Sequence, residues 1–157
     1  MVDFKQLLDQ ESVGDLPIRE AITVSSGTII RAAVARMRTA QIGCVVIVDF
    51  RGNPMGIFTE QSLLPILVQH VSLDDFTIGD FANYNCVVVK QSDPIRVVWN
   101  AIQRNGERFV CVADDDGKLV GLAHRSTLVQ HLSTRFPNEA FVGGLGDKPW
   151  TQAIRRA

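Results

Sequence analysis

Apolar positions along the chain fall into two kinds of run. Ile30, Val34 and Met37, and again Ile95, Val98 and Ile102, recur at spacings of three and four, which predicts amphipathic helices. Cys44–Val48 and Phe109–Ala113 are continuously apolar and rich in valine, which predicts short strands covered on both faces. Shorter runs predict strands at Ala21–Val24 and Met55–Phe58, and at Cys86–Lys90 and Leu119–Ala123. The polar stretches Asp49–Pro54 and Asp114–Gly117 are turns between strands. Each series closes on a helix, from about Ser62 to His70 and from about Ser126 to Thr134. Helix boundaries are also marked. Ser25–Thr28 offers a cap, Asp93-Pro94 reads as an N-cap followed by a first-turn proline, Asn105-Gly106 ends a helix, and Pro65 falls in a first turn.

The order is therefore β-α-β-β-α, twice. A shift of 65 positions lays one copy on the other. Asp49 falls on Asp114, Gly52 on Gly117 and Gly56 on Gly121, while Val24, Ile30 and Arg31 fall on Val89, Ile95 and Arg96. A unit of roughly 60 residues buries too little surface to fold well alone, so the two should share a core. The expected class is α/β (α+β), with two units packed sheet to sheet about a pseudo-twofold axis. The expected divisions are a helix and lead-in over 1–15, unit one over 16–72, unit two over 73–134 and an arm over 135–157.

Composition narrows the function. The chain has 157 residues, 46% hydrophobic and 21% charged, with 16 basic against 17 acidic side chains. That balance lacks the basic excess of a nucleic-acid binder. The N-terminus shows no basic region leading into a long apolar stretch, and the longest apolar run is far short of a membrane span, so neither a signal peptide nor a membrane partner is expected. Cys44, Cys86 and Cys111 all sit in apolar runs, which reads as reduced core thiols of a cytoplasmic protein. Nucleophile elbow, P-loop and zinc-helix motifs are missing, so catalysis is not expected. Asp114, Asp115 and Asp116 read as a solvated hairpin tip rather than a metal site.

After the third strand, copy one reads Gly56-Ile57-Phe58-Thr59-Glu60-Gln61-Ser62, and copy two reads Gly121-Leu122-Ala123-His124-Arg125-Ser126-Thr127. With the second strands Ile42–Asp49 and Arg108–Asp114, these segments resemble the CBS-domain family, as a stand-alone CBS pair or Bateman module covering about 16–134. The resemblance implies a regulatory module that holds an adenosine-containing nucleotide (AMP, ADP, ATP or S-adenosylmethionine) between its units, needs no cofactor, forms a homodimer and signals to an effector protein in trans. It also implies the lining. Thr23, Val24, Val46 and Ile57 would wall one cleft, and Val88, Val89, Cys111 and Leu122 the other, although each is equally an ordinary core residue. Thr59 would touch ligand or cap its helix.

The family's ribose-reading aspartate is replaced by Ser62 and Thr127. A hydroxyl forms weaker bonds than a carboxylate, at about 1.5–3 kcal/mol lost per charge-assisted bond. In copy two, His124 and Arg125 would place two cations at a helix start, where the dipole disfavours them unless an anion lies between. Arg108 and Lys90 would add charge there if they face inward. Two functions stay open at this point: a nucleotide sensor gripping phosphate more than ribose, and a dimerisation scaffold with degenerate clefts. In the arm, Gly143-Gly144-Leu145-Gly146 with Phe141, Val142 and Trp150 suggests packing on a neighbour or a frayed tail.

Overall fold

Both apolar valine-rich runs are strands with the expected limits. In the computed structural model, which describes residues 3–136, β2 is Cys44–Val48 and β5 is Phe109–Ala113. Each is the centre of a three-stranded sheet. β1 (Thr23–Val24) runs parallel to β2, and β3 (Pro54–Thr59) runs antiparallel to it; β4 (Val88–Lys90) and β6 (Leu119–His124) flank β5 in the same way. The hairpin turns repeat atom for atom. The Asp49 carboxylate accepts from the backbone N–H groups of Arg51 and Asn53 at 2.8 and 2.9 Å, and Asp114 accepts from Asp116 and Lys118 at 2.9 Å each. Gly52 and Gly117 share a φ of +85°, a conformation that suits glycine. These turns account for the aspartate–glycine pairs in the repeat.

The helices are α1 (Phe4–Gln10), α2 (Ile30–Ala40), α3 (Glu60–Val68), α4 (Ile95–Gln103) and α5 (Arg125–Arg135). Three apolar clusters organise them. One lies under α2 and α3 and contains Val24, Ile30, Met37, Phe58 and Ile66; a second lies under α4 and α5 and contains Val89, Ile95, Val98, Ala123 and Leu128. The third is the contact between the sheets, formed by Cys44, Val46, Ile57, Cys111 and Leu122. The units therefore share a core.

Each unit also receives the segment that leads into the other. Leu7, Leu8, Val13 and Leu16 join the core of unit two, whereas Ile78 and Phe81, which lead into unit two, join that of unit one. Equivalent bonds hold both segments. Val13 N donates to Asp93 O and Gly14 N to Gln91 O (2.8 and 2.9 Å), matched by Ile78 N to Thr28 O and Gly79 N to Ser26 O (2.9 and 3.0 Å). Ion pairs add to this. Arg31 grips Asp74 through two bonds of 2.7 and 3.0 Å, and Arg96 grips Asp9 in the same two-pronged way. The arginines matched in the repeat are thus the anchors of exchanged lead-ins.

This exchange also corrects the expected helix starts. α2 begins at Ile30 and α4 at Ile95, with Ile29 and Pro94 in the cap positions and no side-chain cap on either. Lead-in carbonyls do that work: Ile30 N donates to Phe76 O at 3.1 Å and Ile95 N to Glu11 O at 3.0 Å. The Asp93 carboxylate instead accepts from Lys90 N at 2.9 Å. Pro65 lies inside α3 rather than in its first turn, because Thr59 caps the helix and starts it before Ser62.

The lead-ins finally pass over β3 and β6. Arg19 exchanges two backbone bonds with Leu122 (3.0 and 2.8 Å), and Asn83 exchanges two with Ile57 (2.8 and 2.9 Å). Gly121 and Gly56 lie under these crossings. A methyl on Gly121 would meet Arg19 O and Ile18 Cγ2 at 2.5 Å each, while one on Gly56 would meet Tyr84 Cδ1 at 3.0 Å and Asn83 O at 3.1 Å. Gly121→Ala should therefore cost about 1–3 kcal/mol by overpacking, and Gly56→Ala less, because its nearest contacts are at 3.0–3.1 Å rather than 2.5 Å. Arg31→Met, which breaks an exposed pair, should cost under about 1 kcal/mol. Urea unfolding of the three variants checks the ranking, and a Gly121→Ala protein as stable as wild type would contradict it.

Candidate functional site

The register brings the starts of α3 and α5 beside the first residues of β2 and β5. Cys44 lies opposite Thr59, and Phe109 opposite His124. Gly43 and Arg108, which precede the strands, therefore sit close to the helix caps. A methyl on Gly43 would touch Glu60 Cδ at 3.3 Å and Phe109 Cζ at 3.5 Å, so the starts of the two central strands meet across the pseudo-twofold axis. There Arg108 pairs with Glu60 of the other unit at 3.8 Å.

The cap hydroxyls are already engaged. Thr59 Oγ1 accepts from Ser62 N, and Ser62 Oγ accepts from Thr59 N, both at 3.3 Å. This is a reciprocal capping box. In unit two, Thr127 Oγ1 accepts from His124 N at 3.0 Å and the Thr127 residue is only 2% exposed. Ser62 and Thr127, expected to stand where the family carries an aspartate, thus serve their own helix termini.

His124 departs from the sequence expectation of a second cation. Its Nδ1 accepts from Ser126 N at 3.2 Å and lies 3.0 Å from Ser126 Oγ, so the ring acts as the N-cap acceptor, with its proton on Nε2. Burial lowers its pKa first, and the charges of Arg108, Arg19 and Arg125 lower it further. The imidazole is neutral near pH 7. Three arginines from three segments remain around it, and the Nε of Arg125 is buried without a hydrogen-bond partner among the described residues. An unsatisfied donor on a cation is costly to bury. It lies at the N-terminus of an 11-residue helix, where free N–H groups and the helix dipole also favour an anion.

The other sequence-predicted residues divide by burial. Val46, Ile57, Cys111 and Leu122 are brought together, but in the dry layer between the sheets. Val24 and Val89 point into the cores of their own units. Thr23 and Val88 are exposed on the edge strands, opposite Val46 and Cys111 respectively. Lys90 pairs with Ala113 at the far end of the sheet and so does not join Arg108. Arg19 and Glu60 were not singled out in the sequence; the upstream match of Ser12-Val13-Gly14-Asp15 with Thr77-Ile78-Gly79-Asp80 was the signal that would have placed the lead-in carrying Arg19. A depression of about 380 Å³ beside the first unit is lined by Ile22, Ala35, Arg36, Thr39 and Ala40, with Arg36 donating to Thr23 O at 3.0 Å. Among the described residues no group of three His, Cys, Asp or Glu side chains is arranged to hold a metal ion. The arm's glycines, Phe141, Val142 and Trp150 lie outside the described residues.

The CBS-domain family model matches residues 13–69 and 78–134, at the same offset as the exchanged lead-ins. The chain belongs to the CBS domain family. It is 28% identical over 120 residues to an uncharacterized protein of Methanopyrus kandleri, across 76% of this chain. It spans 61% of that relative and 22% of a second one, from Methanocaldococcus jannaschii. Among solved structures it is similar to a CBS domain protein from Pyrobaculum aerophilum complexed with AMP (TM-score 0.67, 21% identity, 78% of this chain and 98% of that one). It is equally similar to the CBS domain pair of protein MJ0100 in complex with 5′-methylthioadenosine and S-adenosylmethionine (TM-score 0.68, 22% identity, 79% and 97%). At these identities the likeness concerns the fold, and this chain is a CBS pair in fold.

The pKa of His124 has a consequence for stability. The unfolded histidine titrates near 6.5 and the folded one lower. The unfolded state therefore binds the proton first, and stability rises with pH through that interval. The contribution is complete above about pH 6.5 and is lost as pH falls through the folded value. His124→Asn keeps an N-cap acceptor without the titration. The melting temperature of wild type should thus fall more steeply than that of His124→Asn between pH 7 and 5. Parallel profiles would refute the assignment.

Proposed function

We propose that this CBS pair is a regulatory, non-catalytic sensor of an adenosine-containing nucleotide, held chiefly by its phosphate at the start of α5. The observation that carries this reading is the convergence of Arg19, Arg108 and Arg125 on a neutral His124, with a buried guanidinium N–H lacking a partner among the described residues. An anion there would satisfy that donor and offset three like charges. Thr23 and Val88 offer exposed edge-strand surface for the base, with Val24 and Val89 behind them. Val46, Ile57, Cys111 and Leu122 back the cleft through the sheet layer. Thr59, Ser62 and Thr127 hold the helix starts in place. The ligands named for the Pyrobaculum and MJ0100 structures make AMP and S-adenosylmethionine the first compounds to test, with ADP and ATP beside them as the same nucleoside carrying more phosphate.

The module would act as a cytoplasmic homodimer that signals to an effector in trans. α3 supports the dimer: it exposes Leu64 (62%), Leu67 and Val68 (76%) along one side. A second reading, a scaffold without ligand, is favoured by one observation, the commitment of the Ser62 and Thr127 hydroxyls to helix caps.

A thermal-shift panel of AMP, ADP, ATP, S-adenosylmethionine and NAD separates the two readings. A ligand at about a hundred times its Kd adds about 2.7 kcal/mol of stability, which is several degrees for a chain of this size. Arg125→Gln should abolish that shift while leaving the dimer intact by light scattering. No shift at millimolar ligand, with a stable dimer, would establish the scaffold instead.

A further inference from the structure

The chain's three cysteines meet in one layer. Cys44 in β2, Cys111 in β5 and Cys86 just ahead of β4 all belong to the cluster between the sheets. Cys44 and Cys111 are fully buried, whereas Cys86 is only partly buried. The strand register explains the meeting. Val88 lies opposite Cys111, and Cys111 N donates to Val87 O at 3.0 Å. Residue 86, two positions before Val88, therefore faces the same side as Cys111. The equivalent positions in unit one are Ala21 and Val46, so this pairing is particular to the second unit.

The three thiols are not alike. Burial pushes Cys44 up to about 12. Cys111 is pushed far up by its hydrogen bond with Cys86 and by burial. Cys86 moves the other way, to about 7, because the hydrogen bond from Cys111 outweighs its own burial. A partly accessible thiol that ionises near neutrality, beside a protonated and buried one, has the arrangement of an attacking and a resolving cysteine. The expectation of reduced core thiols fits Cys44 and Cys111, which are fully buried, while Cys86 lies only partly buried at the edge of the layer.

We propose that Cys86 and Cys111 form a peroxide-oxidised thiol pair that closes into a reversible disulfide within one chain. The Cys86 thiolate attacks one oxygen of hydrogen peroxide. The S–O bond forms, the O–O bond breaks, and the departing hydroxide takes up a proton to leave as water. Cys111 sulfur then attacks the sulfenic sulfur; the S–S bond forms, the S–O bond breaks, and the hydroxyl leaves as water with the Cys111 proton. Two electrons pass from the two thiols to one peroxide. An external dithiol reverses the change by exchange. Cys111 lies in the layer that joins the units and Cys86 in the approach to β4, so closure would tie the second unit's edge strand to the shared core.

The full chain, treated with hydrogen peroxide and digested without reduction, tests this by peptide mass spectrometry. Wild type and Cys44→Ala should each yield a Cys86–Cys111 linked peptide that dithiothreitol removes. Cys111→Ala should instead accumulate a Cys86 sulfenic acid trapped by dimedone, and Cys86→Ala should yield neither. Alkylation of Cys86 in the untreated chain should rise with pH with a midpoint of about 7. Three results would each overturn the pair: all thiols staying reduced, Cys86 advancing to the sulfinic acid while Cys111 stays free, or Cys86 linking to Cys44 or to another molecule.

Discussion

The exchange of lead-in segments is the interaction on which the rest of the fold depends. Each small unit is completed by a stretch of chain that precedes the other unit. That stretch supplies apolar side chains to the core, carbonyls to the first turn of α2 or α4, and a carboxylate to Arg31 or Arg96. Units of this size bury too little surface by themselves. With the crossing in place, neither unit is complete without the other, and the apolar layer between the sheets becomes the shared centre of the molecule. The glycines of the two Gly-h-h motifs (h apolar) follow from the same constraint, since the lead-in backbone passes where a Cβ would stand.

The two units keep this architecture but differ chemically around the axis. In unit one a threonine and a serine cap α3, and an acidic residue, Glu60, opens the helix. In unit two a histidine caps α5, and Arg125 opens it. The acid of one unit meets Arg108 of the other, which neutralises part of the charge at the axis. What remains is positive charge gathered at the N-terminus of α5, balanced among the described residues only by that exposed pair. The same asymmetry extends to the sulfur atoms, with Cys86 and Cys111 standing where unit one has Ala21 and Val46.

Some of this was legible from the residues. The hairpin turns follow from Asp49-x-x-Gly52 and Asp114-x-x-Gly117, because a carboxylate accepting two nearby N–H groups and a glycine at positive φ are local devices. β2 and β5 follow from continuous apolar runs. The starts of α2 and α4 were misplaced by one to several residues, because their first N–H groups bond to carbonyls more than forty residues away along the chain. His124 was read as a cation for a comparable reason. Its charge depends on burial and on Arg19 and Arg108, neither of which is adjacent to it.

The sequence by itself determined that there are two copies of one β-α-β-β-α unit, where their turns lie, and which strands are covered on both faces. These are properties of spacing and of residue type over a few positions. Only the tertiary structure decided which unit each lead-in completes, that Ser62 and Thr127 are committed to helix caps, that Lys90 stands apart from Arg108, and that Cys86 differs from the other two thiols. Those outcomes rest on contacts between distant parts of the chain and on how far each group is withdrawn from water, and a linear pattern encodes neither.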